Sequence, residues 1–197
     1  MLIVLLALAA LAGEPEPVPL TPEEAAQRGA AEYYRLSQTL VELASRNAWA
    51  GVERTFLALV ATGVPPSFDD LLTAAHAARS IGNTAAVRAR LLQANGLHED
   101  PSVLDWLYEL DNAYGTVSLA GNVGVVSLQP ATMPFNPDQV ASVTFAQRTI
   151  EETGVFDGLL PQGTYTFSDR EIVVRPRVST VKIDVRTDEK VKRRPKP

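Results

Sequence analysis

The amino-acid sequence predicts an α+β protein in which antiparallel helical hairpins precede a small antiparallel β-sandwich. Two observations lead to this prediction: apolar residues recur every three or four positions up to about Tyr114, and they alternate with polar residues after it. The first spacing places apolar side chains on one face of a helix, and the second on one face of a strand. We therefore expect a helical region over residues 22–114 and a β-sandwich over residues 115–186.

The helical region contains an internal repeat. The stretch that begins at Arg46 and the stretch that begins at Gly82 match at an offset of 36 residues (83 minus 47). The matched pairs are Asn47 with Asn83, Ala50 with Ala86, Arg54 with Arg90, Ala58 with Ala94 and Pro65 with Pro101. Repeats of this length are typical of stacked helical hairpins, in which each hairpin buries its apolar face against the next.

Five helices are expected in this region, each bounded by residues that cap or break a helix. Hydroxyl side chains bind free backbone amides at a helix start, while glycine and proline end a helix. The helices run from Thr21, with Glu24 three residues on, to about Ser45; from Asn47 to about Thr62; from Ser67 to Ile81; from Gly82 to about Asn95, where Gly96 ends it; and from Ser102 to about Tyr114. Trp49 and Trp106 have apolar neighbours at helical spacing, so both are predicted to lie in the core.

The second hairpin resembles a tetratricopeptide repeat when Gly82 is taken as the turn glycine. The packing positions of its two helices are then filled by Leu71, Ala74, Ala75 and Ala78, and by Val87, Leu91 and Ala94. In the first hairpin only the second helix fits, and Pro101 lies two residues later than the motif expects. The resemblance implies a concave groove, lined by the first helix of each hairpin, that holds a partner. An unrelated five-helix bundle is the alternative.

After Tyr114 six or seven short strands are expected, separated by turn-forming Gly, Pro, Asn and Asp residues. The segments are GTVSLAG, VGVVSLQP, QVASVTFAQ, TGVF, GTYTF, REIVVRP and STVKIDVRT. The segment LLPQGTYTF from Leu159 resembles the L-x-x-G-x-Y signature of PEGA domains and of carboxypeptidase regulatory-like modules. That resemblance covers residues 120 to 180. It implies a noncatalytic envelope module in which the leucine fills the sandwich, the glycine makes the turn and the tyrosine opens the next strand.

The N-terminus indicates export from the cytoplasm. The segment Met1–Ala12 is apolar and uncharged, and Ala10-Leu11-Ala12 offers the small-x-small pattern of a cleavage site. The segment is shorter than the roughly 20 apolar residues that span a bilayer, so we predict a signal peptide over residues 1–12. A buried N-terminal element is the alternative. A proline-rich linker follows over residues 13–21.

Charge is unevenly distributed along the chain. With 23 acidic and 18 basic residues overall, a general nucleic-acid surface is not expected. Residues 187–197 carry five basic and two acidic side chains and are predicted to form a disordered basic tail. Such a tail either solubilises the protein or is attracted to an anionic lipid or glycan surface.

The sequence contains no motif that indicates a reaction. Cysteine is absent, histidine occurs only twice, and no P-loop, dinucleotide fingerprint or G-x-S-x-G motif is present. No catalytic residue, metal site or cofactor is therefore predicted. Candidate binding residues occupy helix positions that packing leaves free, namely Asp69, His76, Arg79, Asp105, Tyr108 and Asn112. The alternative is that these residues are ordinary exposed polar side chains.

These observations predict a noncatalytic cell-envelope protein, periplasmic or secreted, that recruits a protein partner through the helical groove. Two other functions stay open. One is glycan or anionic-membrane binding through the β-sandwich and the tail. The other is a hydrolase that uses a carboxylate and His76 in the crevice between the two regions.

Overall fold

The computed structural model describes residues 21–178 and 180–186. The predicted signal peptide (1–12), the predicted tail (187–197) and all but the last residue of the linker (13–21) lie outside the described residues. Among the described helices, none combines the length and the apolar character that crossing a bilayer requires.

Helical hairpins come first in the chain and a small β module follows, which confirms the predicted fold class. The described helices are α1 (Pro22–Ser45), α2 (Trp49–Ala61), α3 (Phe68–Ile81), α4 (Thr84–Leu97), α5 (Pro101–Ala113) and α6 (Pro137–Thr153). The described strands are β1 (Tyr114–Ala120), β2 (Leu128–Pro130), β3 (Val155–Pro161), β4 (Gly163–Phe167), β5 (Arg170–Val174) and β6 (Val181–Asp184).

Capping residues fix the ends of α1 and α3 where the sequence predicts them. Thr21 and Ser67 each begin a capping box, in which the hydroxyl accepts a hydrogen bond from the amide three residues on. The acidic side chains of Glu24 and Asp70 complete the two boxes by accepting from the backbone amide of the cap. Gly82 ends α3 with a left-handed φ of 85°, which glycine adopts without steric cost.

Three predicted helix ends differ from the structure. The helix α2 begins at Trp49 rather than Asn47, and its cap residue, Ala48, makes no side-chain hydrogen bond. Asp100, not Ser102, caps α5, because the Asp100 carboxylate accepts hydrogen bonds from the amides of Ser102 and Val103. The helix α4 continues through Gly96 to Leu97. Glycine inside a helix costs only about 1 kcal/mol relative to alanine, so the surrounding hydrogen bonds carry the helix past it.

The helices α1 to α5 pack in chain order, each against the next. The buried positions of α2 and α4 repeat at an offset of 35 residues (87 minus 52) rather than 36. The equivalent pairs are Val52 with Val87, Phe56 with Leu91 and Leu59 with Ala94. The offset of 36 pairs the buried Ala94 with the exposed Ala58. That offset therefore aligns identical residue types but not equivalent packing positions.

A buried ion pair ties α4 to α2 and α3. The side chain of Arg90 is 8% exposed, and its Nη1 and Nη2 atoms each lie 2.6 Å from a carboxylate oxygen of Glu53. Nη1 also donates to the backbone oxygen of Ala74 at 2.7 Å, and the guanidinium lies over the ring of Phe56. Because these hydrogen bonds satisfy both charges, the pair is tolerated in the core.

A second buried carboxylate joins α1 to the start of α3. Asp70 is 4% exposed and accepts hydrogen bonds from the hydroxyls of Tyr33 at 2.6 Å, Ser37 at 2.7 Å and Ser67 at 2.7 Å. Burial acts to raise the pKa of this carboxyl, but the hydrogen bonds from Tyr33, Ser67 and Ser37 together outweigh burial and lower the pKa.

Replacing this carboxyl should weaken the fold and flatten its acid dependence. We expect Asp70→Asn to reduce the free energy of unfolding by about 1–3 kcal/mol, because hydroxyl donors lose a charged acceptor. The folded pKa lies below the unfolded one, so the stabilisation is complete above the unfolded pKa of about 3.9 and is lost as pH falls through the folded pKa.

Urea unfolding over a series of pH values between neutral and about pH 3 measures this effect. Asp69→Asn, which changes the exposed neighbour, is the matched control and should behave as the wild type. If the free energy of unfolding fell equally steeply with decreasing pH in Asp70→Asn and in the wild type, Asp70 would not be the source of the acid dependence.

Two three-stranded sheets of the β module share one apolar core. In the order β3-β1-β6, β1 is antiparallel to β3 and parallel to β6, so this sheet is mixed. In the order β2-β4-β5 the pairing is antiparallel throughout. Leu160 and Tyr165 of the L-x-x-G-x-Y segment are both buried in the core, and the Tyr165 hydroxyl donates to the Pro161 oxygen at 2.8 Å.

The strand predicted over QVASVTFAQ is wrong, because this segment forms most of α6. Asn136 caps the helix by accepting a hydrogen bond from the Asp138 amide, and Pro137 occupies the first turn. Val143, Ala146 and Ile150 are buried at helical spacing. Tertiary packing of this face outweighs the β-branched composition that suggested a strand.

The N-terminal half of α6 packs on the turn between α3 and α4 and joins the two regions. A Cβ atom at Gly82 would lie 2.1 Å from the backbone oxygen of Ala141 and 3.0 Å from the Cβ of Phe145. Only glycine permits this approach. Tyr114 and Leu159 extend the contact, since both pack with the core between α3, α4 and α5.

Alanine at this turn should destabilise the protein more than alanine at a turn with open space. Gly63 provides the matched control, because its φ of 79° is also left-handed but nothing lies within 4 Å of a Cβ there. We expect Gly63→Ala to cost about 1–2 kcal/mol in the free energy of unfolding, from backbone strain alone. Gly82→Ala should cost clearly more. Equal losses in urea unfolding would contradict the close contact between α6 and the turn.

Candidate functional site

A cleft lies between α5 and the N-terminal half of α6, and we name it the α5–α6 cleft. Its volume is about 480 Å³, within the range of about 300–1,000 Å³ that is usual for ligand sites. The lining residues are Arg79, Thr84, Val87, Trp106, Tyr108, Glu109, Leu110, Asn112, Ala113, Tyr114, Asn136, Asp138, Gln139, Ser142 and Gln162. The helical hairpins and the β module thus both contribute walls.

Half of the predicted binding residues line this cleft. Within the lining are Arg79, Tyr108 and Asn112. Outside the lining are the other three, Asp69, His76 and Asp105. Asp69, His76 and Asp105 are all exposed. Although His76 does not line the cleft, its ring contacts that of the cleft residue Trp106.

The edge of the cleft is a stack of three side chains from α3 and α5. The rings of His76 and Trp106 lie 4.9 Å apart, and the guanidinium of Arg79 lies 5.3 Å from the Trp106 ring. Trp106 is half-buried, so one side packs on the core as predicted while the other lines the cleft. Trp49, the other predicted core tryptophan, is half-buried against the first helical core.

Arg79 also reaches across the cleft to α6. Its Nε donates to Asp138 Oδ2 at 2.8 Å, and the ion pair is 46% exposed on the arginine side and 37% on the aspartate side. This contact raises the pKa of Arg79, chiefly through the hydrogen bond. An ion pair this exposed contributes at most about 1 kcal/mol, so a ligand can replace either partner at low cost.

The back wall consists of three hydroxyl groups. Thr84 Oγ1 and Ser142 Oγ lie 2.5 Å apart and are buried, and Ser142 also donates to the Asp138 backbone oxygen at 2.9 Å. Burial raises the pKa of Tyr114, and hydrogen bonding to Ser142 opposes that rise only in part. The tyrosine therefore stays protonated near neutral pH and presents a neutral donor.

Sequence reasoning missed the α6 side of the cleft. The predicted strand QVASVTFAQ includes Gln139 and Ser142, and Asp138 lies in the turn before it, so none of the three is expected to face the helical hairpins. The pair Asn136-Pro137 is the signal that could have located them, because a capping residue before proline is typical of a helix start. Among the described residues, no group of three or more His, Asp or Glu side chains is placed to hold a metal ion.

Comparison of the chain with protein-family models, with curated proteins and with solved structures found no significant match. The tetratricopeptide and PEGA resemblances therefore rest on the sequence motifs alone.

We expect the pKa of His76 to lie below the ordinary value of about 6.5. Partial burial of the ring is the main cause, and the positive charge of Arg79 is the second. Arg79→Gln should raise the pKa of His76, whereas Arg88→Gln, which removes a distant arginine, should leave it unchanged. An NMR titration of the imidazole protons measures both. A wild-type His76 pKa at or above 6.5 would contradict the stack.

Proposed function

We propose that the protein is a noncatalytic scaffold of the cell envelope that holds a peptide segment of a partner protein in the α5–α6 cleft. The observation that carries this proposal is the cleft itself, which combines an aromatic wall with side-chain amides on both sides. Tyr108 is 65% exposed, and it lines the cleft together with the half-buried Trp106. Exposed aromatic rings of this kind are the usual anchors of protein interfaces.

The polar groups of the cleft suit an extended peptide. Asn112 and Gln162 lie on one wall, and Asn136 and Gln139 on the other. Side-chain amides both donate and accept, as the backbone of a bound peptide requires. Glu109 and Asp138 outnumber the one lining cation, Arg79, so the cleft favours a peptide without excess negative charge.

Two further points support a binding role over the hydrolase alternative. His76 does not line the cleft, and its ring packs against that of Trp106. Partial burial of the ring and the positive charge of Arg79 both lower the pKa of His76, so they disfavour the imidazolium form that a general base must take up. The envelope location is supported by the sequence of Met1–Ala12 and by the PEGA resemblance.

Binding should depend on the exposed tyrosine of the cleft. Panning the full-length protein against a displayed peptide library should recover peptides, whose affinities fluorescence anisotropy then measures. We expect Tyr108→Ala to weaken a recovered peptide by on the order of tenfold or more, because an aromatic anchor is lost.

Tyr34→Ala is the matched control, since Tyr34 is a tyrosine on α1 that is 68% exposed. It should bind the recovered peptides as the wild type does. If no peptide is recovered, or if the two tyrosine variants lose affinity equally, the cleft is not the binding site.

A further inference from the structure

A second pocket lies on another side of the junction, between α4, the end of α5 and strand β3. It has a volume of about 510 Å³. Its lining combines small and apolar side chains with two arginines, one aspartate and two hydroxyl-bearing side chains. We name it the arginine pocket. The lining includes Ala85, Arg88, Leu92, Asp111, Arg177 and Val178.

The charges of this pocket do not cancel. Arg88 pairs with Asp111, with Nε 2.7 Å from Oδ1 and Nη2 3.3 Å from Oδ2. Both arginines lower the pKa of Asp111, Arg88 chiefly through its hydrogen bond and Arg177 through its charge. Asp111 is thus the one carboxylate in the lining, against the two guanidinium groups of Arg88 and Arg177. The lining therefore has a net charge of one positive unit.

Arg177 supplies that charge. Within the described part of the chain its guanidinium lies 5.5 Å from the centre of the Tyr108 ring and forms no ion pair. Its backbone has a left-handed φ of 55°, which is uncommon for a residue other than glycine.

The rest of the lining is largely apolar, with hydroxyl groups at Tyr114 and Thr116 only. Leu92 is 47% exposed and Val178 is 56% exposed, and both border a floor that includes Ala85. Side-chain amides do not occur in the lining, whereas they are frequent in the α5–α6 cleft. A peptide brings a donor and an acceptor with every residue, but an acyl chain brings none.

We infer that the arginine pocket binds a single-chain fatty acid, with its carboxylate on Arg177 and Arg88 and its acyl chain over Ala85, Leu92 and Val178. Arginine holds a carboxylate through two parallel hydrogen bonds, and the acyl chain covers apolar surface that is otherwise in water. This pocket adjoins the peptide cleft of the proposed function, since Tyr114 lines both and Arg177 lies over the ring of Tyr108.

Calorimetric titration of the full-length protein with decanoate tests the inference. Arg177→Gln should weaken binding by about tenfold, because a charge-assisted hydrogen bond is lost. Asp111→Asn should tighten binding, because it removes the carboxylate that competes for the two arginines. Arg148→Gln is the matched control, since Arg148 is also exposed and lies 5.7 Å from an aromatic ring, that of Phe145. It should bind as the wild type.

The inference is overturned if decanoate does not bind, if Arg177→Gln binds as the wild type, or if neutral 1-decanol binds as tightly. It is also overturned if a short apolar peptide with a free carboxylate binds with the same dependence on Arg177 while decanoate does not. That last result would identify a peptide end as the occupant.

Discussion

The close contact between the Gly82 turn and the backbone of Ala141 is the constraint on which the α5–α6 cleft depends. It sets α6 against the end of the α3–α4 hairpin, so that the helical hairpins and the β module meet along one line. The pairing of Arg79 with Asp138 and of Thr84 with Ser142 follows from this placement. A larger side chain at the turn would force α6 outward and remove one wall of the cleft.

Tyr114 lies where the two pockets meet, because its side chain lines both. On one side of it are hydroxyls, amides and aromatic rings; on the other are arginines above an apolar floor. The chemical contrast arises from the neighbouring elements. The N-terminal half of α6 supplies polar side chains to the first pocket, whereas the exposed face of α4 supplies alanine and leucine to the second.

Helix ends that are set by hydrogen bonds within a few residues could be predicted from the sequence. Elements and side-chain pairs that depend on tertiary packing are harder to predict. Thr21, Ser67 and Gly82 set helix ends through bonds within a few residues, so their positions could be predicted. The helix α6 could not be predicted from composition, because its β-branched residues favour a strand until packing is counted. Long-range partners are harder still. Nothing local links Arg90 to Glu53, which lies 37 residues away in the chain.

The binding account depends on the modules being held together at the cleft, so the most direct test is peptide affinity in the two glycine variants. Peptides recovered by the wild type would be titrated into Gly82→Ala and Gly63→Ala, under conditions where circular dichroism finds both variants folded. The account predicts that Gly82→Ala loses most of its affinity and that Gly63→Ala retains it. Equal affinity in the two variants would contradict a binding site built across the junction.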